Sequence, residues 1–204
     1  MGSRRSASRR NPAGTEFAAA AEAAGYTHGH PTGKVASGAF AVLIGAIVRG
    51  QSLTEAVDTT LRLLRRQDDH EETVHALEQA IQAARGSASA DVIESLGGEW
   101  VAEKALAMDL YAALAHSGPD EVLDALSLAA THSGDSDSTG AMCGNILGAF
   151  HGEAALPPEL TFEVEGRSTI LTLADDFIYE FTAGNTLHGD VGPLTRWTDR
   201  YPGW

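Results

Sequence analysis

The segment that decides the fold and chemistry of this chain is residues 132–151, which read HSGDSDSTGAMCGNILGAFH. We predict a loop over 132–137 and a helix from Ser138 to about His151, since Asp and Ser are typical of helix N-termini. The spacing Asp-x-Asp-Ser, at Asp135, Asp137 and Ser138, also brings together two carboxylates and a hydroxyl. Hard oxygen donors of this kind suit Mg²⁺, Mn²⁺ or Ca²⁺ better than zinc.

Two interpretations of this acidic loop stay open on spacing alone, helix capping and metal binding. Capping needs only one acid, whereas the loop supplies two acids and a hydroxyl. An EF-hand starting at Asp135 would place Gly140 correctly at its sixth position. It would also need Asp or Asn in place of Thr139 and Glu in place of Ile146, so the loop is not an EF-hand.

The helix after the loop carries four glycines at a spacing of four, which together form a stripe without side chains on one face of the helix. They are Gly140, Gly144, Gly148 and Gly152. Each glycine inside a helix costs about 1 kcal/mol relative to alanine. We therefore expect another backbone to pack very closely against this stripe; the alternative is a tolerated run of small residues.

Upstream and downstream, helix signals follow one another without strand–helix alternation. Ser52-Leu53-Thr54-Glu55 is a capping box, and a stripe of apolar residues follows it at helical spacing. The predicted helices are Thr15–Ala24, one from Pro31 or Thr32 that closes at Gly50, 53–64, Asp69–Arg85, Ala90–Leu96, Glu99–His116, Pro119–Ala130 and Thr169–Phe181, with one short extended piece at Leu160–Val164. Val101, Ala105, Met108 and Ala112 are the residues of the 99–116 helix that we expect to face inward. The chain is predicted to be all-α and multi-helical.

Composition excludes several function classes. The net charge is −14, and the part after the arginines at positions 4, 5, 9 and 10 carries −18, so general nucleic-acid binding is disfavoured. A single cysteine, Cys143, excludes an internal disulfide framework and a multi-cysteine zinc site, and we expect it to be buried packing. The longest apolar run, Val35–Val48, is shorter than the roughly 20 residues of a membrane span. No complete signal segment precedes it, so we expect a soluble cytoplasmic protein without membrane contact.

Two further segments could contribute to a site. His28 and His30 flank a glycine just before a helix that Pro31 begins, where they could be zinc ligands, substrate contacts or surface histidines. Trp100 follows the turn Gly97-Gly98, where it could stack on a ligand base or pack in the core. We expect Asp175 and Asp176 to lie on a solvated helix face rather than in a site.

Taken together, these segments resemble the ADP-ribosylglycohydrolase family, which includes the dinitrogenase-reductase-activating glycohydrolases. The resemblance rests on Thr27-His28-Gly29-His30-Pro31, on the turn and helix from Gly98 to Leu106, and on the 132–149 segment, in matching order. It covers about residues 15–179. It implies an all-α orthogonal bundle with a binuclear Mg²⁺ or Mn²⁺ site in a cleft, and hydrolysis of the glycosidic bond joining ADP-ribose to a protein side chain or another acceptor.

The resemblance also implies roles for individual residues. Asp135, Asp137 and Ser138 match metal ligands, and His28 matches a histidine of the ADP-ribose pocket, to which we add Gly134 and Trp100 as substrate-binding candidates. The family's G-D-x-x-G and [ST]-D-D-T segments, which supply its remaining ligands and proposed catalytic acids, have no match here. We therefore assign no catalytic residue and expect the usual N-terminal helices to be lacking.

Three functions follow as hypotheses. The first is an ADP-ribosyl hydrolase that a partner chain or second copy completes, with one weakly bound cation if unaided. The second is an inactive ADP-ribose-binding relic, and the third is a structural helical domain; a zinc hydrolase using His28 and His30 is a separate alternative. We expect residues 1–13 to be a disordered basic tail, 14–183 a partial helical domain and 184–204 an extension. Association with another polypeptide, or marginal stability alone, is expected.

Overall fold

The computed structural model describes residues 11–97 and 100–182, and the chain divides into two compact units, residues 1–156 and 157–204. The first unit contains eight α-helices among its described residues. They are α1 (Pro12–Gly25), α2 (Pro31–Val48), α3 (Leu53–Leu64), α4 (Glu71–Ala83), α5 (Ala90–Leu96), α6 (Ala102–Ala115), α7 (Val122–Ala129) and α8 (Ser136–His151). Short 3-10 turns lie at Pro119–Glu121 and Glu153–Ala155. The second unit contains α9 (Pro158–Thr161) and α10 (Arg167–Thr182). No strand occurs in these ranges, which confirms the all-α prediction.

The core of the first unit is built around α2 and α6. Helix α2 packs against α1, α3, α6 and α8, and its apolar side chains Val42 and Leu43 are buried. By length and composition α2 could cross a membrane, but half of the helix is buried inside the protein. Helix α6 is buried on almost every side, with an unbroken buried run from Leu106 to Ala113.

Helix α3 follows its sequence pattern closely. The Ser52 backbone N–H donates to the Glu55 carboxylate at 2.9 Å, and the Glu55 N–H donates back to the Ser52 hydroxyl at 3.3 Å, which confirms the capping box. The hydrogen bonds from Ser52 lower the pKa of Glu55. The predicted stripe is buried throughout: Leu53, Ala56, Val57, Thr60, Leu61 and Leu64.

Substituting Ser52 with alanine removes one acceptor for the first turn of α3 and one donor to Glu55. A lost N-cap typically lowers the melting temperature of a domain of this size by about 2–4 °C. Thermal unfolding followed by circular dichroism at pH 7 measures this, with Ser95→Ala, an exposed serine inside α5, as the control. An unchanged midpoint for Ser52→Ala would mean that the box contributes nothing.

Several predicted boundaries are wrong, for local reasons. Helix α1 begins three residues before Thr15, because the Asn11 side chain accepts from the Gly14 N–H at 3.2 Å and Pro12 occupies the first helical position. Helix α8 begins at Ser136 rather than Ser138, so the loop before it ends at Asp135. The alternating residues 160–164 are not extended; Pro158 begins the single turn α9 there.

Helix α6 also departs from its predicted inward face. Val101 is exposed because it lies at the N-cap, before the helix proper. Ala105 is half-buried, while Met108 and Ala112 are buried as predicted.

The glycine stripe of α8 has no close backbone neighbour, so that expectation is wrong. A β-carbon at Gly140 would meet nothing within 4 Å, and one at Gly144 or Gly148 would make only ordinary contact, with a leucine side chain at 3.5 or 3.9 Å. Gly152 has a different role: it ends α8 with φ of 78°, a conformation that favours glycine. The stripe is therefore a run of tolerated small residues.

Within the second unit, the Arg167 guanidinium lies over the Phe162 ring, 4.8 Å from its centroid. On α10, Asp175 is exposed and Asp176 is half-buried. The predicted domain 14–183 is divided between the two units, since its last helix belongs to the second. The predicted disordered tail, 1–13, is wrong at residues 12 and 13, which belong to α1, while its residues 1–10 and the predicted extension at 184–204 lie outside the described residues.

Candidate functional site

One cleft in the first unit collects most of the predicted site residues. Its volume is about 530 Å³, and its walls come from the N-terminal ends of α2, α4, α6 and α8. His28, His30, Trp100, Gly134, Asp135 and Ser138 all line it. The sequence separates these residues by as many as 110 positions, and the helical packing brings them to one place.

The helix ends around this cleft leave backbone donors open. Helices α2, α4 and α6 begin without a side-chain cap, at His30, His70 and Val101. Helices α1, α3 and α5 begin with a side-chain cap, at Asn11, Ser52 and Ser89, whereas α7, which does not line the cleft, begins without one. The first N–H groups of a helix carry a partial positive charge, so uncapped ends facing one cleft favour an anionic ligand.

The acidic loop places its oxygen donors at the start of α8. Asp135 is the N-cap, Asp137 lies in the first turn, and Ser138 follows it. The Asp135 carboxylate is hydrogen-bonded to the side chains of Asp137 and Ser138, and these bonds lower the pKa of Asp135. Asp137 is exposed and does not belong to the lining that the described residues form. Two acidic side chains in hydrogen-bond contact need either a shared proton or a cation between them.

His132 connects the loop to the helices on either side of it. Its Nδ1 accepts from the Gly134 N–H at 3.0 Å, and its Nε2 lies 2.7 Å from the buried Thr139 hydroxyl. That hydroxyl donates its one hydrogen to the Ala129 carbonyl at 2.8 Å. The Nε2 of His132 therefore carries the ring proton and donates to Thr139. This arrangement ties the loop to the end of α7 and the start of α8.

Glu94 of α5 is a second support of the loop, which the sequence analysis missed. Its carboxylate accepts from the Ser133 N–H at 2.8 Å and from the Ser133 hydroxyl. These two bonds, the side-chain bond first, lower the pKa of Glu94. Glu94 has no motif of its own, and only the fold shows that it meets residue 133.

Histidines, an aromatic ring and a further carboxylate also line the cleft. His28 and His30 are exposed, and the Thr27 hydroxyl lies 2.8 Å from the His28 Nδ1. Trp100 is 76% exposed although it lines the cleft, which excludes the core-packing interpretation. Glu72 lines the cleft as well, and its carboxylate accepts from the buried Thr32 hydroxyl at 2.6 Å. No sequence motif marks Glu72 as a site residue.

The cleft is acidic. Glu72, Glu103 and Asp135 contribute carboxylates, and no lysine or arginine occurs among the lining residues of the described part of the chain. Positive potential inside the cleft can therefore come from helix N-termini, from the three lining histidines when they are protonated, or from a bound cation.

The donor set fits one divalent cation in part. Two carboxylates and a hydroxyl, at Asp135, Asp137 and Ser138, are hard oxygen donors that suit Mg²⁺ or Mn²⁺. Within residues 11–97 and 100–182, however, no group of three or more His, Cys, Asp or Glu side chains is placed to hold a metal ion. His28 and His30 accordingly do not form a zinc site with a third such ligand in those ranges.

Below the cleft lies a buried acid that the sequence analysis also missed. Asp109 is fully buried in α6, one residue after the lining residue Met108, and neither carboxylate oxygen has a hydrogen-bond partner. Burial raises the pKa of Asp109 well above its ordinary value. Cys143 of α8 is buried as predicted, and burial together with the nearby Asp109 raises its pKa to about 12.

Comparison with known proteins identifies one family. The family model described as ADP-ribosylglycohydrolase matches residues 7–186 of the 204-residue chain. Searches of curated proteins and of solved structures gave no match.

Proposed function

Because the chain belongs to the ADP-ribosylglycohydrolase family, we propose that it is a metal-dependent hydrolase that removes ADP-ribose from a modified protein or another acceptor. The family membership predicted from the sequence is confirmed over residues 7–186. The metal and the need for a partner chain go beyond that membership, and the support for both comes from the cleft.

The observation that carries the proposal is the contact between Asp135 and Asp137. The hydrogen bonds from Asp137 and Ser138 lower the pKa of Asp135 and favour its ionised form, and a carboxylate at the cleft wall beside a second acid is a charge that a divalent cation can neutralise. Asp135, Asp137 and Ser138 would hold Mg²⁺ or Mn²⁺. When bound there, such an ion supplies Lewis-acid stabilisation and orients ribose hydroxyls or water.

The rest of the cleft suits a nucleoside diphosphate sugar such as ADP-ribose. The uncapped N-terminal ends of α2 and α6 offer backbone N–H donors to a diphosphate. Trp100 offers an exposed aromatic face for a base, and His28, His30 and Gly134 lie on the same lining. The Glu72 carboxylate, which the Thr32 hydroxyl orients, could accept a proton from an attacking water molecule.

A second candidate is a non-catalytic ADP-ribose-binding protein. It is favoured by the lack of a three-ligand metal group within residues 11–97 and 100–182. A partner chain or a second copy that supplies further carboxylates would convert such a half-site into a complete one, which is the form of the enzyme proposal that we favour.

Mn²⁺ titration followed by electron paramagnetic resonance, with and without ADP-ribose, tests the proposal. Hydrolysis of an ADP-ribosylated protein is measured in parallel at several chain concentrations. We expect Mn²⁺ binding that ADP-ribose tightens, and activity that rises with association of the chain. Mn²⁺-independent ADP-ribose binding without turnover at any concentration would support the non-catalytic alternative. Binding of neither ligand would contradict both.

Trp100 provides a separate test of the ligand site. Stacking of a base on an aromatic side chain contributes about 1–3 kcal/mol by alanine substitution. Trp100→Ala is therefore expected to weaken ADP-ribose binding by about tenfold or more, while Trp100→Phe retains most of the affinity. Isothermal titration calorimetry at fixed Mn²⁺ measures both variants. Equal affinity of the alanine variant and the wild type would remove Trp100 from the site.

A further inference from the structure

The Asp135 loop is connected to α5 through a single side chain. The Glu94 carboxylate accepts two hydrogen bonds from Ser133, one from its backbone N–H at 2.8 Å and one from its hydroxyl. Ser133 lies two residues before Asp135, and α5 is packed against the buried helix α6. Glu94 thus fixes the backbone immediately before the metal-ligand candidates.

The other supports of the loop come from within its own sequence neighbourhood. His132, Gly134 and Thr139 are bonded to one another, and Thr139 is bonded to Ala129 at the end of α7. These bonds hold residues 129–139 together but anchor them to nothing beyond α7 and α8. In the described residues, Glu94 is the side chain that bonds this loop to an element distant in sequence.

We propose that Glu94 is a positioning residue for the acidic metal site, acting through Ser133 on the placement of Asp135. The inference rests on the proposed function, since it concerns the same cation. Glu94 does not line the cleft, and it contacts the loop through its Ser133 bonds rather than through the ligands themselves. Outer residues that orient metal ligands typically change metal affinity by about 10–100-fold when substituted.

Two substitutions at position 94 separate geometry from charge. Glu94→Ala removes both acceptors. Glu94→Gln can keep both contacts, because its amide oxygen can accept from the Ser133 N–H while its amide NH₂ donates to the Ser133 hydroxyl. Glu78→Ala is the matched control, since Glu78 is a half-exposed carboxylate that pairs with Arg65 and does not line the cleft.

The test is Mn²⁺ titration of the full-length chain by electron paramagnetic resonance, with hydrogen exchange of residues 132–139 as a second readout. We expect Glu94→Ala to weaken Mn²⁺ binding by about tenfold and to speed exchange in the loop. Glu94→Gln restores both, and Glu78→Ala leaves both unchanged. If the wild type binds Mn²⁺ and Glu94→Ala binds it with the same affinity, the positioning role is overturned and the proposed function stands. A wild type that binds no Mn²⁺ overturns the proposed metal site itself.

Discussion

Asp135→Asn is expected to weaken Mn²⁺ binding by about 100-fold and to reduce any ADP-ribosyl hydrolysis to background, while the fold is retained. The substitution removes the carboxylate of Asp135 from the acidic loop, and the affinity of oxygen sites for divalent ions depends on ligand charge and number. Asparagine is a good N-cap residue, so α8 can still begin at position 135. The effect is therefore chemical rather than structural.

The control for this substitution is Asp124→Asn. Asp124 is an exposed acid in the first turn of α7, outside the cleft lining, and its change alters the net charge by the same amount. Mn²⁺ titration and circular dichroism of both variants are compared at neutral pH. A wild-type Mn²⁺ affinity in Asp135→Asn would mean that the acidic loop only caps its helix, which is the alternative that the sequence leaves open.

The sequence predicts the helices of this protein better than it predicts which residues pack against them. Helix α3 was predictable in full, because a capping box and a stripe with helical spacing are local patterns. The predicted start of α8 is two residues too late, since Asp135 and Asp137 are both acceptable N-cap residues and only packing selects between them. The glycine stripe failed as a predictor for the same reason: small residues permit close packing but do not require it.

The candidate site divides along similar lines. Asp135, Ser138, His28 and Trp100 were identified from motifs and do meet in one cleft. Glu72 and Glu94 carry no motif, and their meaning depends on partners 40 and 39 residues away, Thr32 and Ser133. Asp109 was missed because one acid in the apolar stretch of α6 has an ordinary helical spacing, and its burial follows from helices that pack on every side of α6.

Asp109 gives rise to the second large prediction, on stability. Its carboxyl is fully buried and both oxygens lack a hydrogen-bond partner, so the protonated form is the one that the folded state accommodates. A buried polar group without a partner typically costs about 1–3 kcal/mol. Asp109→Ala removes that group and leaves only a small void, so we expect it to raise the free energy of unfolding at pH 7 by about this amount.

The pH dependence has a definite sign. Because the pKa of Asp109 is raised in the folded state, the unfolded chain loses this proton first as pH rises above the ordinary Asp value of about 3.9. From there up to the folded-state pKa, the folded form binds more protons than the unfolded form, and stability decreases with pH. The contribution of one such group approaches about 1.4 kcal/mol per pH unit.

Asp109→Asn isolates this contribution, because the amide has nearly the shape of the acid and does not titrate. Urea denaturation of wild type and variant at pH 4, 5, 6 and 7 is expected to give similar stabilities at pH 4. At each higher pH the free energy of unfolding of the variant is then expected to exceed that of the wild type by a larger amount. Asp58→Asn, at an exposed position of α3, serves as the control and should follow the wild type throughout. If the stabilities of wild type and Asp109→Asn stay parallel from pH 4 to 7, Asp109 titrates normally, and the cost that we assign to its burial is wrong. A diverging pair would instead mean that part of the marginal stability expected of this chain arises from one acid beneath the cleft, apart from any missing partner.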